Sequence, residues 1–181
     1  MELTKNLTQA KLFKSLVVIV LGSIALTISA KIKIPFYPVP MTMQTFVVLL
    51  VGIYFGWRLG MFTVGLYLIE GMVGLPVFAG TPEKGIGIAY FIGPTMGYLV
   101  GFLIAVFLAG FFKFENAFFK NFSKLVLSVS FIYLFGMLWL SKFTGWEKAF
   151  LLGAQPFILA ELFKILILAI LVPKILKLKN S

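Results

Sequence analysis

Six stretches of this chain, at residues 12–30, 42–55, 59–73, 92–112, 125–140 and 156–172, are apolar and nearly free of charge. Runs approaching ~20 residues match the ~30 Å hydrocarbon thickness of a bilayer. Inside lipid no water reaches the backbone N–H and C=O groups, so each run must satisfy its own hydrogen bonds as a helix. With 61% of the 181 residues hydrophobic and 12% charged, little is left for anything but these spans and their connections. The expectation is therefore an all-α integral membrane protein: one membrane domain over residues 1–181, built as a bundle of six transmembrane helices. The runs at 42–55 and 59–73 are short and are separated only by Gly-Trp-Arg-Leu-Gly at 56–60, so a tight helical hairpin is the alternative to two full crossings. The first run continues to about Ala30 and ends at Lys31-Ile32-Lys33 without a small-residue cleavage pattern, which reads as a retained span rather than a signal peptide.

Cytoplasmic loops of membrane proteins carry the lysine and arginine excess. Six crossings with the N-terminus inside place Lys5, Lys11, Lys14, Arg58, Lys113, Lys120, Lys124, Lys174, Lys177 and Lys179 in the cytoplasm. The opposite side receives Lys31, Lys33, Lys84, Lys142 and Lys148. This distribution puts both termini in the cytoplasm. The net charge of +10 is then explained by orientation and by attraction to anionic lipid, with no nucleic acid required. Trp57, Trp139 and Trp146, near span ends, fit an interfacial aromatic belt.

Two connections assigned to the outer side are unusual. GLPVFAGTPEKGIGIAYFIGPTMGY, residues 74–98, has the glycines and prolines of a loop but carries Leu75, Val77, Phe78, Ile86, Ile88, Tyr90 and Phe91. KIKIPFYPVPMTMQ, residues 31–44, is stiffened by Pro35, Pro38 and Pro40 and stays apolar through Phe36, Tyr37 and Val39. Irregular backbone at membrane depth is tolerated where it packs in protein or lines a cavity. The pair reads either as lids over an outward-facing pocket or as interfacial loops resting on headgroups.

The last run, PFILAELFKILILAILVP, holds Glu161 and Lys164 three residues apart on one helical face. Each charge costs roughly 2.5–3.5 kcal/mol to insert, so the two must face the protein interior. One reading is a self-contained ion pair that fixes helix packing. The other is a ligand clamp, in which a hydrogen-bond-accepting carboxylate stands beside a donating ammonium among apolar walls.

Other polar groups are candidates of lower rank. Gln44 and Thr42 begin the second span and either point at the pocket or cap the helix, with Thr42 as the capping residue. Glu70 reads first as a solvated interfacial carboxylate. Tyr98 offers an aromatic wall with a hydroxyl, or an ordinary interhelical hydrogen bond. Lys84 reads as an exposed turn residue or as a partner for an anionic ligand. Ser15, Gly22, Ala25 and Ser29 form a small-residue face on the first helix, suited to close packing within the bundle or to docking by a separate membrane subunit.

The chain has no histidine and no cysteine, only six carboxylates, no GxxxxGK[ST] phosphate loop and no HExxH or GxSxG motif. No catalytic site, metal site or cofactor is expected.

IPFYPVPMTMQTF, GWRLGMFTVGLYLIEGMVGLPVFAG, GPTMGYLVGF and the E..K pair of the last span, in this order from about Ala25 through Lys164, resemble the BioY family. Its members are the biotin-specific substrate-binding (S) components of energy-coupling factor (ECF) transporters. The resemblance implies a six-helix S-component in a bacterial plasma membrane that binds biotin from outside, closes its apolar outer loops as lids, and delivers the vitamin inward. It implies as partners a coupling transmembrane subunit and two ATPases, although some family members are reported to work without them. It also implies that Glu161 accepts from the ureido N–H groups of biotin and Lys164 donates to the ureido carbonyl. Phe78 and Tyr98 then line the pocket, and Ser15, Gly22, Ala25 and Ser29 form the docking face. Family members commonly carry Asp at the position of Glu161, and many have a Gly- and Ser- or Asn-rich turn in place of Pro82, Glu83 and Lys84. Some also place Arg where Leu99 stands, which leaves Lys84 or the loop's backbone amides as partners for the biotin carboxylate. The alternatives are an S-component for another vitamin and a solitary membrane transporter or enzyme. PVPMTMQTF and GLPVFAG weigh against the first, and the lack of histidine and paired acids weighs against an enzyme.

Overall fold

The computed structural model describes residues 2–36, 41–83 and 85–180, with the side chains of residues 2–8 and 180 excluded. Its elements are α1 (Glu2–Lys31), β1 (Lys33–Ile34), β2 (Met41–Thr42), α2 (Gln44–Met72), α3 (Ile88–Ile92), α4 (Met96–Phe111), α5 (Phe118–Thr144), α6 (Trp146–Gly153) and α7 (Ile158–Asn180). A single turn of 3-10 helix, Gln155–Phe157, joins α6 to α7. Four helical stretches are long and apolar enough to cross a membrane: Gln9–Lys31, Gln44–Met72, Phe118–Thr144 and Trp146–Lys179. Met96–Phe111 is apolar but shorter.

The second of these stretches is not one rod. Gly56 has φ 80° and ψ 170°, outside helical geometry, and the chain reverses there. The Gln44 side chain bonds the Tyr67 hydroxyl at 2.7 Å across 23 residues, which a straight helix would hold about 34 Å apart. The two runs on either side of 56–60 are therefore two antiparallel legs, 44–55 and 57–72, joined by a turn at Gly56. Gly52 and Gly60 face each other across it; a side chain on Gly60 would stand 3.4 Å from the Gly52 backbone. Counting both legs, the described residues form six long helical legs beside the short α3 and α6.

Packing follows the small residues. The two legs of α2 pack on α4, α4 packs on α5, and α7 sits against both α5 and α2, closing a ring. Gly101 of α4 lies so near Ile132 of α5 that a Cβ there would stand 2.6 Å from its backbone. Buried Leu26, Val48, Leu49, Val64, Tyr67, Phe78, Val106, Leu125, Ile132 and Leu168 share one core. On the membrane-facing side, α1 leaves Leu12, Phe13, Leu16, Leu21 and Ile28 exposed. In lipid such apolar exposure carries no penalty.

Several boundaries differ from those read in the sequence. α1 and α5 extend beyond 12–30 and 125–140, because polar flanks continue a helix past the apolar core at no cost to its backbone bonding. α7 runs through Pro173 to Asn180 rather than stopping at Val172. The proline removes one hydrogen bond, a loss that a bundled membrane helix absorbs. Between α5 and α7 the chain forms α6, where only a connection was expected.

Candidate substrate site

The site is built from the start of α2 and the N-terminal half of α7. β1 and β2 pair antiparallel, Lys33 opposite Thr42 and Ile34 opposite Met41, and this ribbon delivers the chain into α2. Thr42 does not cap that helix: Met43 takes the N-cap position without a side-chain bond. The Thr42 carbonyl is turned instead toward α7, where it accepts from Lys164 Nζ at 3.2 Å.

Lys164 and Glu161 are 4% and 6% exposed and form a direct ion pair. The Thr45 hydroxyl stands between them. It accepts from Lys164 Nζ at 2.6 Å and lies 2.9 and 3.0 Å from the two Glu161 carboxylate oxygens, to which it donates. Tyr133 of α5 lies in the neighbourhood of the same carboxylate. The three ammonium protons are thereby matched to Thr42 O, Thr45 Oγ1 and Glu161 Oε1. No buried side-chain nitrogen or oxygen among the described residues lacks a partner. Two charges that would each be prohibitive in lipid are held here as a net-neutral, hydrogen-bonded unit. Such a unit can exchange internal partners for the N–H and C=O groups of a small polar head without creating a net buried charge.

Gln44, one residue before Thr45, points the other way. It is buried, and its Nε2 donates to the Tyr67 hydroxyl, which in turn donates to Val77 O at 3.2 Å. The 74–87 loop is thus tied to the residue adjoining the ion pair. Phe78 follows at 1% exposure in an aromatic box, edge-on to Tyr67 with centroids 5.2 Å apart, stacked on Tyr90 at 4.8 Å and edge-on to Phe91 at 5.5 Å. Its ring lies against Gly71, where any Cβ would collide with it. The Tyr90 hydroxyl donates to Ala79 O at 2.9 Å.

Tyr98 approaches from the opposite side. Its ring packs edge-on to Tyr133 at 6.1 Å, and its hydroxyl donates to Gly153 O at 2.9 Å. The ring sits between Gly136 and Gly153, neither of which has room for a Cβ beside it. The interhelical bond is therefore real, and the connection to Glu161 is indirect, through Tyr133.

Lys84 and residues 37–40 lie outside the described residues, so nothing here places Lys84 near the pair. The small-residue face of α1 divides. Gly22 packs against Thr63 of α2, and Ser29 is buried with its hydroxyl bonded to Leu26 O, so both are occupied inside the bundle. Ala25 is exposed and Ser15 partly so, leaving these two on the outer side. Glu70 is not simply solvated, since Ser23 of α1 donates to its carboxylate. Thr45, Tyr133 and the Thr42 carbonyl were not picked out from sequence. Thr45 lies 116 residues from Glu161 along the chain, and only its place beside Gln44 hinted at its role.

The family model for the BioY family matches residues 3–181. The chain belongs to the BioY family. It is 41% identical to the probable biotin transporter BioY of Pyrococcus horikoshii over 142 residues, 78% of this chain and 83% of that one. The biotin transporter BioY of Thermotoga maritima is 32% identical over 177 residues, 97% of this chain and 98% of the relative. Among solved structures, the crystal structure of the S-component for biotin from an ECF-type ABC transporter superposes with a TM-score of 0.77 at 27% identity, covering 93% of both chains. The chain thus has the fold of that S-component and is a multi-pass membrane protein.

Proposed function

We propose that this BioY-family protein takes up biotin, acting as the membrane-embedded S-component that captures the vitamin from outside and delivers it inward. The observation that carries the reading is the buried Glu161–Lys164 pair bridged by Thr45, whose neighbour Gln44 is joined through Tyr67 to the loop that seats Phe78 in an aromatic box. Biotin offers a neutral ureido head with two N–H donors and one strongly accepting carbonyl. Glu161 accepts from the N–H groups and Lys164 donates to the carbonyl, with the Thr45 hydroxyl serving either side. The apolar loop excludes water, which strengthens each of these bonds.

In this reading the six legs are six crossings, both termini are cytoplasmic, and loops 31–44 and 74–87 are the lids. Ala25 and Ser15 remain for a coupling subunit, while Gly22 and Ser29 hold α1 to the bundle. Energy for delivery comes from that subunit and its two ATPases. The test is accumulation of labelled biotin by biotin-requiring host cells producing the chain alone or together with a coupling subunit and two ATPases. Uptake that appears with the chain and fails with Lys164→Ala supports the proposal; uptake equal to that of cells lacking the chain overturns it.

A further inference from the structure

At the outer end of α1, Lys31 reaches away from its own helix. Its ammonium donates to Thr81 O at 2.7 Å and to Thr81 Oγ1 at 2.8 Å. Thr81 is 5% exposed, and its hydroxyl donates to Phe78 O at 2.7 Å, closing a turn whose backbone bond runs from Thr81 N to Phe78 O at 3.2 Å. From Phe78 the connection continues through the aromatic contact with Tyr67, and from Val77 O through the Tyr67 hydroxyl to Gln44, the neighbour of Thr45. One cation on α1 therefore anchors the turn that carries Phe78. The other fastenings of this turn come from α2, with Tyr67 bonded to Val77, and from within the loop region, with Tyr90 bonded to Ala79.

We propose that Lys31 is the latch of the 74–87 loop: its ammonium holds the Phe78 turn down on the bundle and so sets how fast the covered site opens. It is a positioning residue, acting on the site through Thr81, Phe78 and Tyr67. The inference rests on the biotin-capture reading for what is released, but not for the latch itself. Both Lys31 bonds are charge-assisted and are made to a buried partner, the circumstance in which a single donor matters most. α1 touches chiefly α2 and is peripheral to the ring, so a bond from its end to the loop links the loop to the helix freest to shift.

Lys31 is exposed, so replacing it leaves the core intact. The test uses the full chain in detergent and two readouts. The first is amide hydrogen exchange of the unliganded protein across residues 76–92, which requires no ligand. The second is the rate of labelled-biotin release. Lys31→Met, which keeps the apolar stem, raises exchange in this segment by roughly tenfold, as expected for loss of charge-assisted bonds, and speeds release by a similar factor. Lys31→Arg restores both. Thr81→Val, which removes the hydroxyl but keeps the carbonyl, gives an intermediate increase. A role for Lys31 only in complementing the C-terminal end of α1 would alter exchange near residues 28–31 and leave 76–92 unchanged, which overturns the proposal. Faster exchange without faster release also overturns it, because the loop would then open without governing the site. Should the wild type bind no biotin, the capture reading fails, while the exchange result still decides whether the latch exists.

Discussion

Replacing Lys164 by methionine removes the ammonium but keeps an unbranched chain of similar reach, leaving the Glu161 carboxylate buried with the Thr45 hydroxyl as its hydrogen-bond partner. Removing one partner of a buried pair costs about 3–5 kcal/mol. For a chain of this size each kcal/mol moves the melting temperature by about 2–4 °C, so Lys164→Met should melt roughly 6–20 °C lower. Glu161→Gln alone leaves the opposite charge stranded and costs a comparable amount. The double variant strands neither charge, and loses the Lys164 bonds to the Thr42 carbonyl and the Thr45 hydroxyl, about 1–3 kcal/mol. Thermal unfolding in detergent, followed by tryptophan fluorescence, should therefore show the double variant to be more stable than either single one. Additive losses would refute the reasoning, because they would mean that the two charges do not share one desolvated site.

Three further outcomes follow from the packing. Gly136→Ala drives a methyl into the Tyr98 ring and should cost about 1–3 kcal/mol, read as a lowered melting temperature. Gly56→Ala meets no neighbour within 4 Å, so its cost comes only from the backbone at φ 80°, about 1–3 kcal/mol; a neutral effect would mean that the hairpin turn tolerates another conformation. Burial raises the Tyr90 phenol above its ordinary range, so the folded loop favours the protonated form. That stabilisation is complete below the unfolded value near 10 and is lost as pH rises through the higher folded value; the protection of residues 76–92, taken against the intrinsic exchange rate at each pH, should fall only above about pH 10.

Much of this architecture is written locally. The apolar runs announced the helices, and the short glycine-bounded interval at 56–60 announced the tight turn between two of them. The three-residue spacing of Glu161 and Lys164 forced both inward on one helical face. The remainder depends on register between segments remote in sequence. Thr45 meets Glu161 only because α2 packs on α7, and no local pattern encodes that alignment. Thr42 looked like a cap by residue type, but the ribbon entering α2 directs its carbonyl to Lys164. The small face on α1 was visible as a pattern, yet which of its members face α2 depends on how α1 is rotated against Thr63. Lys31 looked like one more interfacial lysine, since nothing local reveals that a loop 50 residues onward returns to it.

The most direct test of the account is titration of the detergent-purified chain with biotin by calorimetry, with stoichiometry checked by native mass spectrometry. One biotin bound per chain, with binding lost in Lys164→Ala and Glu161→Ala and weakened in Thr45→Val, is the predicted result. A well-folded wild type that binds no biotin, or variants at Glu161 and Lys164 that bind as tightly as the wild type, would contradict the assignment of this buried pair as the capture site.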